Sequence, residues 1–124
     1  MRVDRRVASA AALDVGAIVV FAAIGRRNHS ESGNAITGAL EVAAPFLIAL
    51  AVGWLVARAW TNPSSLRTGL IIWPVTIAVG MVLRHWVFDR GTAASFIVVA
   101  TIATGVLLLG WRGVARAVRA SRAA

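Results

Sequence analysis

Leu70-Ile-Ile-Trp-Pro-Val-Thr-Ile-Ala-Val-Gly-Met-Val-Leu-Arg-His-Trp86 decides the fold. The stretch is long and apolar enough to cross a bilayer, which needs about 20 helical residues for ~30 Å of hydrocarbon. It carries Pro74, Gly80 and, near its end, Arg84. Three other apolar runs of similar length flank it: about 8–25, 39–58 and 93–111, with this one extending over 69–87. None shows the alternation of a barrel strand, and in lipid the backbone must be satisfied internally. The expected architecture is all-α, an integral membrane bundle of four helices in one domain, followed by a basic C-terminal tail over 112–124.

Composition agrees. Of 124 residues 59% are hydrophobic and only 15% charged. A soluble globule of 13.0 kDa buries too little of its surface to hide that much apolar area. The net charge of +8 raises the question of nucleic acid. All 13 basic residues are arginines, however, and most flank apolar runs instead of forming a stripe interleaved with aromatics. That distribution fits the orientation rule for membrane helices and argues against a nucleic-acid partner. With no cysteine, disulfides and thiol chemistry are excluded.

The first run follows Arg2, Arg5 and Arg6 and so has the outline of a signal peptide. Asp14 within its apolar core, and Arg26-Arg27 where a small-residue cleavage site would stand, argue against cleavage. Arg26 to Gly38 is polar and rich in turn formers, Thr61-Asn62-Pro63-Ser64-Ser65 is a strong turn signal, and Asp89-Arg90-Gly91 makes a short turn. Four spans put both termini and the middle loop on one side. That side holds nine arginines (2, 5, 6, 58, 67, 112, 116, 119 and 122) against four (26, 27, 84 and 90) on the other. The asymmetry predicts both termini in the cytoplasm and a plasma-membrane protein. In the tail, Arg112, Arg116, Arg119 and Arg122 share one helical face, which reads as a solvated orientation anchor or as a surface against anionic lipid head groups.

Asp14 lies about six residues into the first span, hence ~9 Å from its cytoplasmic end. A carboxylate there needs partners or a function. The structural reading pairs it with Thr76 or Thr104 across the bundle interior; the functional one makes it a proton-binding group. Arg84 shares a stripe with Trp73, Ile77 and Gly80 that should face the bundle, although its length also lets it reach the interface. Glu41 opens the second span on the same side. Pro45 lacks an N–H, so the Glu41 carbonyl loses its helical donor. Arg26, His29, Glu41, Arg84 and His85 therefore gather towards the extracytoplasmic end, where Arg84 is expected to approach Glu41, its carbonyl or Asp14. Two histidines and a glutamate from separate elements, without zinc-site spacing, do not make a metal motif. Ser30 and Ser95 have no evident base, so neither an enzyme nor a cofactor is indicated. Ala49, Gly53 and Ala57, Thr76 with Gly80, and Thr101 with Gly105 are small residues four apart that suit close helix contacts. Trp60, Trp86 and Trp111 fall at span ends as interfacial anchors, with Trp54 and Trp73 deeper.

Taken together, Asp14, Ile24-Gly25-Arg26 with His29, Pro45-Phe46, Trp73-Pro74 through Gly80 to Arg84, and Ser95-Phe96 make the chain resemble a family of small four-helix prokaryotic membrane proteins known only as a domain of unknown function. In that family an aromatic residue often precedes the Pro-Phe pair, where this chain has Ala44. The resemblance implies the four-span fold and supplies no activity. Two functions fit these residues: a structural or accessory membrane protein, and a small proton-coupled transporter or cation carrier acting as a homodimer through Asp14. The second has an architectural analogy in small multidrug transporters, which share the length, the four helices and an acid in the first; this chain lacks their tyrosines and aromatic first span. The accessory reading stands ahead.

Overall fold

The computed structural model describes residues 4–28, 35–88 and 93–123. Four α-helices follow in order: α1 (Arg5–Asn28), α2 (Ala35–Ala57), α3 (Leu66–Trp86) and α4 (Ala94–Ala123), with a 3-10 turn at Ala59–Thr61 between α2 and α3. Each helix packs on its sequence neighbours and α1 also packs on α4, closing an up-and-down ring. Both described ends of the chain and the α2–α3 connection therefore lie at one end of the bundle. All four helices are long and apolar enough to cross a membrane, and among the described residues there is no strand. The fold is an all-α transmembrane bundle.

Its surface is inverted relative to a soluble protein. Leu55 is 66% exposed, Ile102 61% and Val106 65%, while Asp14, Thr76, Thr104 and Arg112 are fully buried. Lipid is the solvent that accepts such an exterior, since tails are as apolar as the side chains they meet. Small residues bring the helices close. A Cβ on Gly53 would lie 3.3 Å from the Ile72 carbonyl oxygen, so α2 and α3 touch nearly backbone to backbone there. On Gly80 it would lie 2.6 Å from Cε1 of Phe46, and on Gly105 2.7 Å from the Trp73 indole. Gly80 and Gly105 are thus sockets for the aromatic rings of neighbouring helices. Phe46 in turn meets Phe21 edge to face at 5.4 Å and Phe96 at 6.1 Å, an aromatic centre that joins α1, α2 and α4.

The ends of the elements are made locally. The Asp4 carboxylate accepts the Arg6 backbone N–H at 2.9 Å and caps α1. Arg58 takes a left-handed conformation (φ 51°, ψ 50°) where α2 stops, an uncommon choice for a residue with a Cβ. The Thr61 hydroxyl donates to the Arg58 carbonyl at 2.7 Å and holds that turn. Ser65 then caps α3, accepting from the Arg67 N–H at 3.1 Å. The most consequential difference from the sequence reading is at the other end. The expected fourth span stops at Trp111, whereas α4 continues without a break to Ala123. Nothing in 112–123 interrupts it, because alanine and arginine are good helix formers and glycine alone costs only ~1 kcal/mol.

Candidate functional site

The one buried ionic centre among the described residues is built on Asp14. Its Oδ1 accepts from Nη1 of Arg112 at 2.8 Å and from the Trp111 indole N–H at 2.8 Å. Its Oδ2 accepts from Nη2 of Arg112 at 2.7 Å and from the Trp54 indole N–H at 2.9 Å. The guanidinium is engaged beyond the carboxylate. Nε of Arg112 donates to the Pro63 carbonyl at 3.0 Å, and Nη1 also donates to the Leu108 carbonyl at 2.9 Å. The Arg112 guanidinium carbon lies 4.4 Å from the centroid of the Trp111 ring. Neither Asp14 nor Arg112 has exposed surface. Four donors for one carboxylate fill about all its lone-pair sites, which is the condition for holding an ion pair away from water. Arginine alone suits this position, because its planar fork meets a carboxylate with two parallel bonds and still has an Nε–H to spare.

Each helix contributes to the centre. Asp14 comes from α1, Trp54 from the last turn of α2, Pro63 from the connection before α3, and Trp111 and Arg112 from α4. From α3, Gly69 gives room: a Cβ there would stand 2.9 Å from Cδ of Arg112 and 2.8 Å from Leu109. The connection is itself fixed, since the Thr68 hydroxyl donates to the Asn62 carbonyl at 2.7 Å. Arg112 therefore ties the first helix, the last helix and the α2–α3 connection to one point.

Several expectations are corrected here. Asp14 lies in the bundle interior, but its partners are neither Thr76 nor Thr104. The Thr104 hydroxyl donates to the Ala100 carbonyl of its own helix at 2.6 Å, and the Thr76 hydroxyl is buried without a hydrogen-bond partner. Of the three partners expected for Arg84, Asp14 is ruled out because its oxygens are taken; the Arg84 guanidinium carbon sits 4.0 Å from the centroid of the Phe96 ring. Arg112 is no solvated anchor, and Trp111 is a hydrogen-bond donor to the core at the level where an interfacial anchor was expected. At the opposite end of the bundle, Glu41 is exposed on α2 and Arg84 half-buried on α3. His29 lies outside the described residues, as do Arg90 and the turn it belongs to, and so does the side chain of Arg26 in the last turn of α1. Among the described residues no three histidine, aspartate or glutamate side chains converge as metal ligands would.

Missing from the sequence reading were Trp54, Trp111 and Arg112 as partners of Asp14. A signal existed. Asp14 and Arg112 both belong to the arginine-rich end, and a carboxylate a turn or two inside a span needs a cation that reaches inwards from that end. Comparison with curated proteins and with solved structures gives no match. A family model matches residues 11–115, a segment that encloses every residue of the Asp14 centre. By that match the chain belongs to the family described as Protein of unknown function (DUF3054).

Proposed function

We propose that this chain is a multi-pass protein of the cell membrane, with both termini in the cytoplasm, that serves a structural or accessory role, and that Asp14 is a lock and not a proton carrier. One observation carries the reading. Asp14 is wholly buried and accepts from four N–H donors, two of them on the Arg112 guanidinium, whose planar fork meets both carboxylate oxygens. A carboxyl that shuttles protons has to lose partners and meet water in every cycle, and here each loss would strand Arg112 in a low-dielectric interior. The cytoplasmic placement of the termini is supported by the nine-to-four distribution of arginines.

Reconstitution in liposomes tests the role. Under an imposed pH gradient, wild type and Asp14→Asn should both leak protons and monovalent cations no faster than empty liposomes. A gradient-driven flux in wild type that Asp14→Asn abolishes while the protein still inserts would overturn the reading in favour of a carrier. Reporter fusions at Gly33, which lies outside the described residues, and at the C-terminus should report opposite sides of the membrane. The same side for both would end the topology.

A further inference from the structure

Below the Asp14 centre, towards the chain ends, α1, α4 and Ser64 of the α2–α3 connection line an open groove of about 470 Å³. Its walls are apolar: Leu13 from α1, and Trp111 and Val118 from α4. Its rim is cationic, with Arg5 and Arg6 in the first turn of α1 and Arg119 near the end of α4. All three arginines are exposed, and Arg119 is held towards the groove by a hydrogen bond from its Nη1 to the Ser64 hydroxyl at 3.0 Å. The arginines of the tail thus divide by role. Arg112 turns inwards to Asp14, and Arg119, two turns further along the same face, stands at the mouth of the groove.

We infer that this groove is a binding site for an anionic phospholipid, its acyl chain along the Leu13–Trp111–Val118 wall and its phosphate between Arg5, Arg6 and Arg119. The inference rests on the membrane reading above. Charge complementarity selects the occupant, because three arginines line a cleft whose remaining walls are mostly apolar, with Ser9 and Ser64 the other polar residues, in a chain of net charge +8. A soluble anion would use the rim and leave the apolar walls wet, and a zwitterionic lipid would bring its own cation to the arginines. An anionic lipid satisfies both parts. The leaflet that meets this end is also the anionic one if the termini are cytoplasmic. Trp111 lines the groove and donates to Asp14, so an occupied groove and the buried ion pair share a wall.

The experiment measures lipid retained by purified, detergent-washed protein, using mass spectrometry after reconstitution with equal phosphatidylglycerol and phosphatidylcholine. Wild type should retain phosphatidylglycerol over phosphatidylcholine by roughly tenfold or more, given the attraction of each arginine for an anionic surface. The triple variant Arg5→Gln, Arg6→Gln, Arg119→Gln should bring the ratio close to one. A matched triple, Arg67→Gln, Arg116→Gln, Arg122→Gln, removes the same charge from exposed arginines that do not line the groove, and should keep most of the preference. Equal loss in both triples would mean a diffuse surface field and would overturn the site, as would a wild type that retains the two lipids alike. Helical circular dichroism establishes that each variant is folded. Alkaline carbonate separates the two readings: a chain released from vesicles refutes the membrane reading and the groove with it, whereas an embedded chain without lipid preference refutes the groove alone.

Discussion

Asp14→Asn with Arg112 left in place should destabilise the bundle by about 3–5 kcal/mol, the cost of stranding one member of a buried ion pair. The geometry explains why the amide is no substitute. Both oxygens of Asp14 accept one guanidinium N–H and one indole N–H, at 2.7–2.9 Å. An amide turns one of those oxygens into an NH2 that faces two donors, and it leaves Arg112 without a countercharge. Arg112→Met should cost a similar amount from the other side, since Asp14 keeps its two indoles and the Pro63 and Leu108 carbonyls lose donors. The double variant carries no buried charge. Its remaining deficit is one or two orphaned polar groups, each worth ~1–3 kcal/mol. The singles should therefore sum to well above the double, with a coupling of at least ~3 kcal/mol. Reversible unfolding in mixed detergent micelles, read by helical circular dichroism, measures the four corners of the cycle. Additivity within ~0.5 kcal/mol would refute the reasoning, because independent sites behave that way and a locked pair cannot.

Other outcomes follow from the same packing. Trp54→Phe keeps the ring and removes one donor to Oδ2, which Arg112 still serves, so unfolding should report a loss of only ~1–2 kcal/mol. Gly80→Ala places a methyl against the Phe46 ring and should cost ~1–3 kcal/mol; Phe46→Leu in the same chain should recover part of it, and an additive double would mean that the ring yields freely. Thr76→Val removes a buried hydroxyl that has no hydrogen-bond partner, so stability should hold or rise slightly; a loss above ~1 kcal/mol would point to a partner for that hydroxyl.

The architecture was legible because its physics is local. Four runs of apolar residues near the length of a bilayer, broken by Thr61-Asn62-Pro63-Ser64-Ser65 and other polar turns, leave few alternatives to four membrane helices. Gly53, Gly80 and Gly105 were recognisable as contact points for the same reason, since only a missing side chain lets helices approach closely in lipid. Arg112 was not legible as the partner of Asp14. It lies 98 residues away, follows a tryptophan of the kind that marks an interface, and belongs to a series of arginines whose other members, Arg116, Arg119 and Arg122, are exposed.

By itself, then, the sequence determined how many times the chain can cross a membrane, where it turns, and that Asp14 must find a partner away from lipid. Which partner was left to the tertiary structure. Helical periodicity places Arg112 and Arg119 on one face, and only the packing of α1 against α4 buries the first while leaving the second at the rim of a groove. At the Asp14 level Gly69 gives space to the Arg112 side chain and the Pro63 carbonyl accepts its Nε–H, whereas the residues of α1 and α4 nearer the chain ends line an open groove. A pattern of residues records the face of a helix; the distance to the next helix is set by every side chain between them.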